Sequence, residues 1–400
     1  MENYRKQALA ANKEDLAFAW VMDTLKDERK RGMSIDISLY MLETQKYRFT
    51  IIDTPGHRDF VKNTITGISQ ADAVVLVVDA GVPSAASQEN DQIQELSLLT
   101  HAFGVDQIVV AVNKMDKVEY DERAFLDVKA RITEVMTSIG IDSSIVVFVP
   151  VSGWVGDNLV KDLEKTMSWY SGPSLLEAIE SVVVPNRLSE LPLRIPILDV
   201  YKVGGVGTVP VGRIASGSLE AGVKAIFAPG SATGKVKSLE VHHSEVEEAT
   251  AGENVGFNVR KVNVKAVRRG FIASDADDRP ARAVESFQAR ITLTSHPGKI
   301  HRGYMPILHI HTTNVACEFS RLIQKVDGKS GEPIEDSPTH MAPGDTCVVE
   351  LKPTKPVCVE ACADCPTLGR FVIRDMKKTV GYGIVLSTVP VTEEEESDSD

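Results

Sequence analysis

At 400 residues and 43.6 kDa the chain can hold two or three domains, each with its own core, and 43% hydrophobic with 25% charged residues is the balance of an ordinary globular protein. A formal net charge of −12 argues against strong general affinity for nucleic acid, no apolar run is long enough to cross a bilayer, and the polar opening residues are not a signal peptide. Five cysteines over this length point to reduced thiols and a cytoplasmic setting.

In chain order, the first notable stretch is Asp27-Glu28-Arg29-Lys30-Arg31-Gly32-Met33-Ser34-Ile35-Asp36. It reads either as a charged helix end followed by an edge strand, or as a switch segment whose Ser34 hydroxyl coordinates magnesium beside a γ-phosphate. Residues 47–52, 73–78, 108–112 and 145–151 are Val/Ile-rich runs of strand length. Amphipathic stretches at 91–103 and 121–139 alternate with them. The alternation predicts a parallel sheet with helices on both faces. Two strands end on polar residues, Asp53 and Asn113, at the carboxyl ends where open α/β sheets bind ligands.

Pro185-Asn186-Arg187 and Leu191-Pro192 mark a change of texture. Short period-two runs follow at 195–200, 208–214, 224–227, 235–242 and 254–259, broken by Gly and Pro, and a second such unit starts near Ser286 and runs to about Thr388. This predicts β-barrels. The expected domains are 1–187, 190–283 and 284–390. Residues 391–400 form an acidic tail that is expected to be disordered and holds half of the net charge.

Three strand-end motifs carry chemistry. In Asp53-Thr54-Pro55-Gly56-His57, the carboxylate suits a water of a magnesium ion, Gly56 lets its N–H approach a phosphate, and His57 can orient an attacking water. Alone, it is equally an Asp-capped strand-to-helix turn. In Asn113-Lys114-Met115-Asp116, Asp116 can accept both the N1–H and the 2-amino group of guanine, a pair that adenine lacks. The Lys114 stem can lie over the ring. Ser152-Gly153-Trp154 offers backbone N–H groups to the guanine carbonyl. In isolation the second motif is as well read as an exposed turn, and the third says almost nothing. Their order and spacing together point to a guanine-nucleotide site.

These motifs, with Ser69-Gln70-Ala71-Asp72, Val241-His242-His243, Asn254-Val255-Gly256-Phe257-Asn258-Val259 and Arg374-Asp375-Met376, extend along nearly the whole chain. The sequence resembles the eukaryotic elongation factor 1-alpha family of translational GTPases. The resemblance implies an α/β GTPase domain and two β-barrels, with GTP/GDP and Mg2+ as cofactors. It implies that His57 activates the hydrolytic water and that Asn113, Lys114, Asp116 and Ser152 read guanine. It also places Glu240 and Asn254 at the pocket for the aminoacylated tRNA 3′ end. The implied partners are aminoacyl-tRNA, the ribosome and a guanine-nucleotide exchange factor, with no membrane.

The chain departs from the family pattern in several places. Met1-Glu2-Asn3-Tyr4-Arg5 aligns with the helix that follows the family's Gly-rich phosphate loop, so the first strand and that loop are expected to be missing and GTP binding to be weak. A missing central strand would leave sheet edges unpaired. Gly230-Ser231-Ala232-Thr233-Gly234-Lys235 and Gly328-Lys329-Ser330 imitate the loop but read as hairpin turns. Gln92-Ile93-Gln94-Glu95-Leu96 lacks the family's arginine and histidine. Cys358, Cys362 and Cys365 read as buried or loop thiols ahead of a zinc site. Two functional readings follow: an aminoacyl-tRNA delivery GTPase, or a non-catalytic paralogue that binds tRNA or protein.

Overall fold

A computed structural model describes residues 2–82, 87–160 and 166–392. The expected acidic tail lies almost wholly outside them. The chain divides into two compact units between Pro185 and Asn186. No helix among the described residues is long and apolar enough to cross a membrane.

The first unit contains α1 (Glu2–Ala10), α2 (Lys26–Arg31), β1 (Ser38–Glu43), β2 (Arg48–Asp53), α3 (Val61–Ile68), β3 (Val74–Asp79), α4 (Ser87–Phe103), β4 (Ile108–Asn113), α5 (Glu122–Ile139), β5 (Val147–Pro150) and α6 (Leu175–Glu180). Strands β3, β4 and β5 form a parallel sheet in that order. Leu76, Val78, Val110, Val112 and Phe148 pack with Phe125, Val128, Ile132 and Met136 of α5, whose spacing makes one helical stripe. Val109, Ala111, Val149 and Val151 cluster with Ala178 and Leu175 of α6. Covered on both faces, β4 is buried along most of its length, which is why it reads as a continuous apolar run. Helix α5 starts where the Asp121 carboxylate accepts the Arg123 N–H and stops at Gly140, whose φ of 98° favours glycine.

The parallel sheet is shorter than the sequence predicts. Among the described residues β2 pairs only with β1, and antiparallel, from Ser38 opposite Asp53 to Glu43 opposite Arg48. Strand β3 pairs only with β4. Among the described residues the edges of β2 and β3 away from these partners carry no ladder. Val75 and Val77 of β3 are 40% and 60% exposed, because α6 packs on β4 and β5 and leaves them uncovered. The charged stretch before β1 takes the form of a helix end followed by an edge strand, with Gly32 in the left-handed region at the end of α2.

The second unit holds two closed six-stranded barrels. The strands of the first are β6 (Ile195–Val203), β7 (Gly207–Arg213), β8 (Ser218–Glu220), β9 (Lys224–Ala228), β10 (Ala232–Val241), β11 (Ser244–Val246), β12 (Glu248–Thr250), β13 (Asn254–Val259) and β14 (Ile272–Asp275). Its ring runs β9-β10-β13-β7-β6-β14 and back to β9, with β11 appended to β10. Phe227 and Phe257, both fully buried, stack with centroids 6.3 Å apart. Gly212 of β7 is a point of close approach: a Cβ there would lie 2.3 Å from the Pro196 carbonyl oxygen.

The second barrel contains β15 (Val284–Leu293), β16 (Ile307–Ile310), β17 (Thr313–Val326), β18 (Pro333–Asp336), β19 (Thr346–Pro353), the short helix α7 (Pro366–Gly369), β20 (Arg370–Asp375) and β21 (Lys378–Pro390). Its ring runs β16-β20-β21-β15-β19-β17 and back, with β18 appended to β17. Ala228, Ile272 and Ala281 of the first barrel cluster with Cys358, Cys365 and Leu368 of the second, and Arg194 pairs with Glu360 beside them. Burial pushes the Cys365 thiol up to about 11 and His311 down to about 4, so His311 is neutral and its Nε2–H donates to the Cys358 carbonyl at 3.2 Å. Among the described residues no group of three or more His, Cys, Asp and Glu could hold a metal. Cys358 and Cys365 are buried in this cluster, and Cys362 is partly exposed. The two loop mimics are hairpin connections: residues 229–231 join β9 to β10, and residues 327–332 join β17 to β18, with Asp327 accepting the Lys329 and Ser330 N–H groups.

Truncating Phe257 to Ala should cost roughly 3–5 kcal/mol. Val77→Thr on the uncovered strand should cost under about 0.5 kcal/mol. Urea unfolding followed by circular dichroism measures both, and comparable losses would contradict the burial described.

Candidate functional site

The parallel register sets the base end of the site. Asp79 stands opposite Asn113, and Val112 opposite Pro150, so the segments after β4 and β5 leave the sheet side by side. The Asn113 side-chain oxygen accepts the Lys114 N–H at 2.7 Å and the Gly153 N–H at 2.8 Å. One carboxamide therefore joins the two motifs. Met115 donates its N–H to the Val151 carbonyl at 3.2 Å and is fully buried, so its side chain anchors the turn in the core. The Ser152 hydroxyl, also fully buried, donates to Asp116 Oδ1 at 2.6 Å and fixes that carboxylate. Tyr120 donates to Asp157 Oδ2 at 2.5 Å, and that bond pushes its phenol up to about 12.

Two neighbours escaped sequence reasoning. Trp154 is 56% exposed and meets Phe18 edge to face, with centroids 5.5 Å apart. Nothing in the sequence near Phe18 marks it, since the contact spans the whole first unit. Asp79 receives the Lys114 ammonium at 2.6 Å and the Gly81 N–H at 2.8 Å. Burial raises its carboxyl, but these two hydrogen bonds and the Lys114 and Lys117 charges outweigh burial and hold it below the usual carboxylate range. Its signal was available: a carboxylate ending a strand in register with Asn113.

The phosphate end lies at β2. Asp53 ends the strand, and its carboxyl is raised by burial and then by the nearby Asp23 and Glu28 charges. Asp23, buried and also raised mainly by burial, accepts the Ser34 hydroxyl at 2.8 Å. Glu28 is committed to backbone, accepting the N–H groups of Leu25, Ile35 and Asp36. Thr54 packs closely against α3, where a Cβ on Gly67 would lie 2.3 Å from its methyl. Pro55 is buried and its carbonyl accepts the Thr64 hydroxyl at 2.6 Å. Gly56 faces open space. His57 is half-exposed beside Phe60, and its Nδ1 accepts the Asp59 N–H at 3.2 Å. In the neutral ring the proton is therefore on Nε2.

Asp23, Asp53 and Ser34 are hard oxygen donors, and the two carboxyls are pushed up by burial and like charge. This chemistry fits magnesium, which takes one or two carboxylates and keeps several waters. In the second unit Glu240 of β10 pairs with Gly256 of β13, two residues from Asn254. Strand alternation puts Glu240 and Asn254 on one outward face, while Leu239 and Val255 turn inward.

Comparison with known proteins agrees with this layout. Residues 2–185 match the family described as Elongation factor Tu GTP binding domain, residues 207–274 Elongation factor Tu domain 2, and residues 286–386 GTP-eEF1A C-terminal domain-like. These define a GTP-binding domain joined to two barrels of the translational type. Elongation factor 1-alpha of Absidia glauca is 44% identical over 399 residues, covering 96% of this chain and 87% of the relative. That of Entamoeba histolytica is 45% identical, covering 98% and 89%. The chain belongs to the elongation factor 1-alpha family of translation elongation GTPases. The solved bacterial selenocysteine-specific elongation factor EF-Sec shares the fold with a TM-score of 0.69 at 24% identity; 91% of this chain covers 53% of that one. Elongation factor SelB from Methanococcus maripaludis, solved with a GTP analogue, has a TM-score of 0.68 at 21% identity, with 90% and 75% covered.

The raised Asp53 carboxyl has a testable consequence. Between its unfolded value near 3.8 and its higher folded value the folded state holds more protons, so its contribution makes stability fall as pH rises through that window. Asp53→Asn should therefore be more stable than the parent at neutral pH without divalent cation, and the gain should vanish towards pH 4. Thermal melts across this range in chelator check it; a loss of stability at pH 7 would contradict the assignment.

Proposed function

We propose that the chain is an elongation factor 1-alpha-type GTPase that delivers aminoacyl-tRNA to the ribosomal A site in the cytoplasm. The observation that carries this reading is the convergence of Asn113, Asp116 and Ser152 beyond β4 and β5, with the Asp116 carboxylate oriented by Ser152. Asp116 accepts the guanine N1–H and 2-amino group. Lys114 lays its stem along the ring, and Gly153 and Trp154 border the base. Identity of 44–45% along almost the whole chain favours this over a non-catalytic binding module.

At the other end, Asp53 and Ser34 would hold magnesium, the former through a water. The ion neutralises charge on the phosphates when bound. Gly56 leaves room for the γ-phosphate, and the Nε2–H of His57 orients the attacking water. Glu240 can accept from a ribose hydroxyl of the tRNA 3′ end, beside Asn254. An exchange factor is the expected further partner.

Competition against a fluorescent GDP tests the base reading. The parent should prefer GDP to XDP and reject ADP. Asp116→Asn swaps an acceptor for a donor and should turn that preference towards XDP; unchanged GDP preference would remove Asp116 from the site. His57→Ala should lower ribosome-stimulated GTP hydrolysis by roughly 100-fold with little effect on guanosine affinity, the scale of a lost group that handles a proton or water in catalysis. Single-turnover phosphate release measures it, and an unchanged rate would refute the role given to His57.

A further inference from the structure

We infer that Asp79 is a positioning residue for base recognition, acting through Lys114. The inference rests on the guanine reading above and extends it to a residue outside the three motifs.

Lys114 lies only two positions before Asp116, the carboxylate that reads the base. It sits in the left-handed region with φ 65°, and its backbone N–H is held by Asn113. A flexible ammonium this close to Asp116 is a natural competitor for it. Ser152 occupies Asp116 Oδ1, and no ammonium reaches either Asp116 oxygen among the described contacts. Lys114 is instead committed to Asp79 at 2.6 Å. Asp79 is in turn fixed from both sides. Its Oδ1 accepts the Gly81 N–H at 2.8 Å, and the Ala80 N–H bonds the Asn113 carbonyl at 2.9 Å, locking the ends of β3 and β4 together. The bridge is only partly exposed, with the two side chains at 46% and 27%.

This arrangement has two effects. It pairs the Lys114 ammonium with Asp79, so the lysine offers the base its aliphatic stem while its charge is held elsewhere. It also leaves Asp116 Oδ2 without an ammonium partner among the described contacts, open to guanine. Removing the Asp79 charge should release Lys114 to pair with Asp116, which then reads the N1–H and 2-amino group less well. The loss should fall on discrimination and not only on affinity. Guanosine and inosine separate the two, since inosine lacks the 2-amino group.

The test uses the full chain and its D79N and D79E variants. Competition against a fluorescent GDP gives affinities for guanosine, inosine and adenosine. In the unliganded protein, 15N spectra of the lysine ammonium groups report Lys114 directly. D79N should lower the guanosine-to-inosine affinity ratio by about tenfold, the scale of one hydrogen bond to a charged group. It should also abolish a protected Lys114 ammonium signal that the parent shows and D79E restores. Equal weakening of guanosine and inosine would mean a merely structural role and overturn the inference, as would an ammonium signal indifferent to D79N. A parent chain that does not distinguish guanosine from inosine and adenosine, but keeps its Lys114 signal, would overturn the guanine reading itself.

Discussion

The side-chain oxygen of Asn113 is the smallest part on which the site depends. It takes two backbone N–H groups, one from each of the turns that follow β4 and β5. Backbone donors in such turns have no ladder to satisfy them, so a side chain that accepts them fixes the turns in place. By accepting both, Asn113 sets the distance between Lys114 and Gly153. Asp116 and Ser152 can then meet, and Met115 can seat itself in the core. The parallel sheet supplies the coarse alignment, and this carboxamide supplies the fine one.

Much of this was legible in the sequence because its signals are local. The apolar runs at 108–112 and 254–259 fall on β4 and β13 almost residue for residue, and Asp121 and Gly140 bracket α5. A run of valines next to a polar strand end says both where a strand lies and where it stops. Partners that are distant in sequence left no such trace. Nothing around Phe18 predicts Trp154, and nothing around Ser34 predicts Asp23. The pairing of β2 was misjudged for a related reason. Its apolar content suits a parallel sheet, but among the described residues its only ladder is with β1, a strand whose mixed residues carry little periodic signal. The phosphate end is built from such long-range contacts, which is why the sequence named its members but not their neighbours.

The two barrels show how a sequence can announce domains that the packed chain does not keep apart. Each ring closes on itself, so each has an independent hydrogen-bond network. Between them lie small apolar groups, two thiols and the buried Arg194 with its Glu360 partner. Such a pair adds little net stability, but removing Glu360 would leave the Arg194 charge buried and uncompensated. Cys358 and Cys365 are two of the small groups that this interface packs.

Helix α3 gives the phosphate end a mechanical property. Asn63 grips the carbonyl of Ile35, and the next residue, Thr64, grips that of Pro55. Ile35 belongs to the segment carrying Ser34, and Pro55 to the one carrying Asp53 and Gly56. Neighbouring side chains in a single helical turn therefore hold both segments like the two ends of a yoke. A ligand that draws either segment inward must pull on the other or break a hydrogen bond, so the pair responds as one lever and not as two independent loops.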